Sequence, residues 1–227
     1  MKYFTPAGRL MRFDALDRSG DAFPAYTVGW RIIDEPDTWS RRFLCYKSGQ
    51  PGYLRAGAKL MSAGVEELLD VVGLKSNDAS LCTALGHDDT GPNANSILHM
   101  TGAYIAKAVG IEWGPELFQK ERHKSLRSVG DGASRDVEVF GKYRCNALAS
   151  GKTLIVLDDF ITRGATLGDM NRALKESNPS TNMLALALAK NENAAWGRSN
   201  HLLVNNDHIS SEWEALWNRE YAKALSQ

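Results

Sequence analysis

One stretch of the sequence has residue types and spacing suited to chemistry: Leu154 to Thr166, LIVLDDFITRGAT. Two adjacent acids, Asp158 and Asp159, follow four apolar residues, and the turn Thr162-Arg163-Gly164-Ala165-Thr166 comes soon after. An apolar run ending in acids is the pattern of a strand buried on both faces of a parallel sheet. In open α/β sheets, ligands bind beyond the carboxyl ends of such strands. The turn is expected to feed a helix N-terminus, where backbone N–H groups lack intrahelical partners and the helix dipole favours an anion. Gly164 would let the backbone approach that anion, and the Thr162 and Thr166 hydroxyls would add donors. Carboxylates accept hydrogen bonds from vicinal hydroxyls. The segment therefore suits a ligand carrying a diol and a phosphate one sugar-width apart.

Other readings of the same residues compete. LIVLDD alone would also suit the acidic strand of an ATPase. Its partner loop would be Asn146 to Thr153, NALASGKT, a near miss to G-x-x-x-x-G-K-T. The first glycine is replaced by Asn146, and Gly151-Lys152-Thr153 opens a strand where the phosphate loop needs a helix N-terminus. A dehalogenase-type phosphatase would want Asp-x-Asp, and here the acids are adjacent. An ordinary sheet strand that happens to end in acids is the bland alternative.

The elements that must position this segment are legible around it. The first fifty residues read as β-rich: segments 3–16 and 25–34, then RRFLCYKSG up to the turn signal Gly49-Gln50-Pro51-Gly52. From Tyr53 to Val72 the apolar residues keep helical spacing. ASLCTALGH fits a buried strand, and the acidic loop HDDTGPN leads to a helix that Gly110 is expected to stop. IEWGPELFQ holds a short strand. KERHKSLRSVGDGASRD reads as a long mobile loop, and VEVFGKY as an alternating strand. TLIVLDD, the helix ITRGATLGDMNRALKES and the strand TNMLALALAK form a βαβ unit. The last eighteen residues read as an amphipathic helix with Ser211 and Glu214 as its capping box, and with Trp213, Leu216, Trp217 and Tyr221 on one face.

Composition bounds the rest. With 227 residues the chain is long enough for one large domain. Its 27 basic and 27 acidic side chains cancel, which argues against a protein whose main task is gripping nucleic acid. No apolar run approaches the roughly 20 residues that span a bilayer. The first twenty residues are charged throughout, so no signal peptide is expected. Cys45, Cys82 and Cys145 are widely spaced and form no CxxC pair, which predicts neither a zinc ribbon nor a disulfide framework, and a reducing cytoplasm as the compartment.

The string VLDDFITRGAT closely resembles the phosphoribosyl-pyrophosphate (PRPP) binding motif of type I phosphoribosyltransferases, with Phe160 bulkier than the usual aliphatic and Arg163 where threonine is common. The order of CYKSGQPGYLRAGAKL, a strand and helix, a basic loop, Arg135 and FGKY before the motif resembles ComF-type competence-associated members, without their cysteine zinc ribbon. The resemblance covers roughly residues 42–192 and is strong at 154–166. It implies an α/β type I phosphoribosyltransferase fold, a mainly parallel sheet flanked by helices with a small hood. The implied division is a β-rich N-terminal hood or extension at 1–52, the core at 53–205 and a C-terminal amphipathic helix at 206–227. The implied reaction is transfer of the phosphoribosyl group from PRPP, or a related phosphosugar diphosphate, to a nitrogen nucleophile such as a nucleobase, with release of pyrophosphate. Asp158 and Asp159 would hold the ribose hydroxyls and, indirectly, Mg²⁺. Thr162, Arg163, Gly164, Ala165 and Thr166 would hold the 5-phosphate. His87 and Asp88, with the loop residues Arg122, His123, Lys124, Arg127 and Arg135, would face pyrophosphate. Lys47 would be a ligand contact or a plain surface lysine. Expected partners are small-molecule substrates, with no membrane and no nucleic acid; a homodimer is left open. The alternative implied by the same resemblance is a non-catalytic PRPP- or nucleotide-binding regulator, or a DNA-uptake partner protein.

Overall fold

The most apolar strands of the sequence occupy the middle of a seven-stranded sheet. The computed structural model describes residues 2–4, 9–13, 16, 23–35, 37–126, 129, 132–148, 151–199 and 209–226. Its strands are β1 (Lys2–Phe4), β2 (Met11–Phe13), β3 (Ala25–Ile32), β4 (Ala79–Thr83), β5 (Glu112–Trp113), β6 (Phe118–Lys120), β7 (Tyr143–Cys145), β8 (Thr153–Ile161) and β9 (Met183–Glu192). The helices are α1 (Thr38–Lys47), α2 (Pro51–Val72), α3 (Ile97–Val109), α4 (Gly132–Val139), α5 (Ala165–Ser177), α6 (Ala194–Ser199) and α7 (Ser211–Leu225). The sheet runs in the order β1-β2-β3-β9-β8-β4-β5. From β3 to β5 every pairing is parallel; only the β1 and β2 edge is antiparallel. A separate antiparallel pair joins β6 to β7.

Period-two alternation explains why both faces are covered. Along β8, Ile155 and Leu157 join one core cluster while Leu154 and Val156 join the other. The first face packs against α1, α2, α3 and α7, and the second against α5 and the β6–β7 pair. The architecture is α/β, with a mostly parallel central sheet flanked by helices. Among the described residues no helix is long and apolar enough to cross a membrane.

Three local expectations change. Residues 38–47 form a helix instead of a strand. Trp39, Phe43 and Tyr46 recur at helical spacing and are buried, and Asp37 caps the start by accepting from Ser40 N at 2.7 Å. The aromatic content of the segment imitates a strand, but its period does not. VEVFGKY divides between α4 and β7, with Gly141 at φ +76° as the break. The cap of α7 is Ser210, whose hydroxyl accepts from Trp213 N, one residue before the Ser211 expected from the sequence. β3 pairs along its length with β9 and so belongs to the central sheet.

Asp169 of α5 ties the second face together. It is buried and accepts from Gly141 N and Tyr143 N, both at 2.8 Å, and from Arg172 Nε at 2.6 Å. Arg172 in turn donates to the Tyr143 carbonyl at 2.8 Å. Removing the carboxylate leaves a buried cluster of donors without acceptors, so Asp169→Ala is expected to cost about 3 kcal/mol of unfolding free energy. Denaturant unfolding reads this. A loss below about 1 kcal/mol, the scale of an ordinary hydrogen bond, would mean that the cluster is not a structural tie.

Candidate functional site

β8 delivers its two acids to the end of the sheet with their backbone already engaged. Asp159 N donates to Asp158 Oδ1 at 2.8 Å, and Phe160 N donates to Asp159 Oδ1 at 2.7 Å. Each carboxylate thus spends one oxygen on the following amide and keeps the other for a partner. For Asp159 that partner is Lys47, the last residue of α1, whose ammonium forms an ion pair with Oδ2. Asp158 is left with the poorer environment. Burial first, and the Asp159 charge second, push its carboxyl well above the ordinary aspartate range, against the opposing pull of Lys47.

The chain then turns through residues 162–164 into α5. Gly164 is the N-cap residue, left-handed at φ +77°. A Cβ added there would overlap Leu16 Cδ1, so the space over this glycine is filled by Leu16. The sequence assigns Gly164 to ligand approach; the structure adds a backbone and a packing reason for it. Thr162 Oγ1 accepts from Asn191 Nδ2 at 3.0 Å, and Asn191 Oδ1 accepts from Arg31 Nη1 at 3.0 Å. Arg31 and Lys47 lie over the Phe160 ring, 5.0 and 5.2 Å from its centroid.

These residues line one cavity of about 790 Å³. Asp158, Asp159 and all five turn residues, Thr162 to Thr166, are in its wall. So are His87 and His123, from the loops between β4 and α3 and between β6 and α4, and Arg135 of α4. Arg135 also donates from Nε to the carbonyl of Val129, ahead of α4, at 3.1 Å. Asp88 does not line the cavity. Its side chain is 81% exposed and contacts His87 Nε2 at 3.1 Å. The acid of that loop facing inward is Asp89, which accepts from Gly86 N and Asn93 Nδ2 and so shapes the loop. Arg122 and Lys124 are not in the wall, and Arg127 lies outside the described residues.

Behind the β4–α3 loop sits Lys120, 5% exposed, donating to the His87 carbonyl at 3.0 Å. Burial lowers its ammonium to about 8, although Asp89 and Asp88 pull the other way. Beneath Lys47, the buried Tyr46 ring packs on Gly57 of α2, and its hydroxyl bonds Thr101 Oγ1 at 3.0 Å. Arg31, Tyr46 and Asn191 are among the wall residues that escaped sequence reasoning. Asn191 had a signal. It ends an apolar strand beside β8, where a sheet of this type places its ligands.

Two outcomes follow from this geometry. A carboxyl held above its ordinary range in the folded chain binds its proton more tightly there than in the unfolded chain. Ionising Asp158 therefore costs folding free energy, and that cost grows as pH rises above about 4, the unfolded aspartate value. Asp158→Asn removes the cost. Its Tm should exceed the parent's at neutral pH, and the gain should vanish below about pH 4. Thermal unfolding across pH measures this, and a gain independent of pH would show that ionisation is not its source. Gly164→Ala should destabilise the chain by about 1–2 kcal/mol for the left-handed backbone, with a further loss for displacing Leu16. That steric part should shrink in the Leu16→Ala background. Strictly additive losses in denaturant unfolding would contradict the contact.

No family model matches the chain, and no curated protein matches it. Among solved structures it is similar to a crystal structure of adenine phosphoribosyltransferase, with TM-score 0.42 and 16% identity over 84% of this chain and 89% of that one. It is also similar to adenine phosphoribosyltransferase from Saccharomyces cerevisiae complexed with D-2,5-dideoxy-2,5-imino-altritol 1,6-bisphosphate and adenine, with TM-score 0.39 and 15% identity over 84% of this chain and 88% of that one.

Proposed function

We propose that the chain is a type I phosphoribosyltransferase of ComF-like kind that binds PRPP with Mg²⁺ and transfers the phosphoribosyl group to a nitrogen nucleophile, releasing pyrophosphate. The observation that carries this reading is that two adjacent carboxylates and the start of α5 form one wall of a single cavity, faced by His87, His123 and Arg135. A ribose 5-phosphate offers a diol to the acids and an anion to the turn. A diphosphate on its C1 would extend toward the basic residues.

The residues then divide the work. Asp158 and Asp159 accept the ribose hydroxyls and place C1 in the open cavity. The hydroxyls of Thr162 and Thr166 and the amides of the turn hold the 5-phosphate, aided by the dipole of α5. Arg135 offsets the charge of the departing pyrophosphate, and His87 and His123 line the cavity beside it. The transition state is expected to resemble an oxocarbenium ion, so catalysis rests on orientation and fixed charge. Among the described residues no three His, Cys, Asp or Glu side chains gather as a metal cage. The two adjacent carboxylates in the cavity wall fit Mg²⁺, which keeps several waters and takes one or two carboxylates plus substrate phosphates. Asp158 and Asp159 are the residues that would hold it, and it would supply charge neutralisation between hydroxyl and phosphate oxygens.

The test is pyrophosphate release from PRPP and Mg²⁺ with a panel of nucleobases, alongside calorimetric binding. Base-dependent release is expected. Each acid contributes charge-assisted hydrogen bonds of about 1.5–3 kcal/mol, so Asp158→Asn with Asp159→Asn should weaken PRPP by at least about a hundredfold. Chelating the metal should weaken PRPP strongly and ribose 5-phosphate little. Binding without release would identify the non-catalytic regulator, and unchanged affinity in the double variant would remove the reading altogether.

A further inference from the structure

Arg31, Asn191 and Thr162 form one hydrogen-bonded line across the ends of three neighbouring strands. The sheet register sets it up. Arg31 of β3 lies opposite Asn191 of β9, and Ile161, which precedes Thr162, lies opposite Lys190. A guanidinium has donors only. Since Arg31 donates to Asn191 Oδ1, the amide must turn its NH₂ toward Thr162, where it donates to Oγ1. The Thr162 oxygen is then an acceptor on that side. Its single proton is directed elsewhere, and Thr162 is in the cavity wall. Arg31 is itself steadied against the Phe160 ring, 5.0 Å from the centroid.

We propose that Arg31 and Asn191 are positioning residues that fix the Thr162 hydroxyl as a proton donor to a phosphate-type anion in the cavity. Neither belongs to the segment 154–166, and the inference rests on reading the turn 162–166 as the phosphate seat. A threonine hydroxyl free to rotate would point its proton at the ligand only part of the time. The relay removes that freedom before the ligand arrives.

The experiment is calorimetric binding of ribose 5-phosphate to the full chain and to Thr162→Val, Asn191→Ala and their double variant. Thr162→Val should weaken binding about tenfold, the scale of one charge-assisted hydrogen bond, and Asn191→Ala by less, because the Thr162 hydroxyl is still present but free to rotate. The double variant should lose no more than Thr162→Val alone, because Asn191 acts only through that hydroxyl. Thr162→Ser keeps the hydroxyl and should recover most of the affinity that Thr162→Val loses. Asn191→Asp keeps the shape but has no donor. It draws the Thr162 proton to itself, so it should bind more weakly than Asn191→Ala. This isosteric variant answers even if the alanine variant unfolds. Additive losses, or Asn191→Asp binding like the parent, would overturn the relay and leave the phosphate seat standing. If the parent itself takes up no ribose 5-phosphate, the phosphate-seat reading falls, and the relay with it.

Discussion

The ion pair between Lys47 and Asp159 is the constraint on which the rest of the site depends. Two adjacent carboxylates at a half-buried strand end repel each other and lose hydration. One counter-charge must therefore be delivered to them by another part of the chain. The delivery is elaborate in its anchoring. Ile32 N at the end of β3 donates to the buried Ser40 Oγ at 2.8 Å, which fixes the start of α1 relative to the sheet. The Tyr46 ring lies on Gly57, so α1 settles against α2 at one register. Lys47 then emerges at the correct height over Phe160. Even so, only one acid is neutralised. Asp158 keeps its unfavourable position, as expected where a site holds groups poised for a ligand instead of for stability.

What the sequence made legible was local. The β8–α5 unit is one continuous segment, its apolar run and its acids lie within nine residues, and no distant partner is needed to recognise it. The same holds for α3, which ends at Gly110 in the left-handed conformation expected of a helix stop. The failures are of two physical kinds. In α1, aromatic residues that favour strands in isolation are drawn into a helix by the packing of Trp39, Phe43 and Tyr46 against the core. The long-range pairs are the other kind. Arg31 and Asn191 stand 160 positions apart and meet only because β3 inserts beside β9. No spacing along the chain announces such a meeting.

The acidic loop after β4 shows how burial changes a reading made from charge alone. As a sequence, HDDTGPN repels an anion. In the structure the two acids divide. Asp88 leaves the cavity, and Asp89 turns inward to accept from Gly86 N and Asn93 Nδ2, which defines the loop's shape. Beneath them Lys120 adds a buried cation bonded to the His87 carbonyl. The loop carries positive charge from below that its own residues do not reveal.

Phe160 gives the last step. An aliphatic residue at this place in the strand would pack equally well against the core, yet the ring adds something a methyl group cannot. Its face attracts cations, and two of them, Arg31 and Lys47, lie over it. Lys47 serves the acid that precedes Phe160, while Arg31 serves the hydroxyl that follows. A single bulky side chain therefore lies against both the cation paired with Asp159 and the guanidinium linked through Asn191 to Thr162. The departure of this strand from an all-aliphatic pattern has a physical use: it couples the two halves of the cavity wall through one aromatic surface.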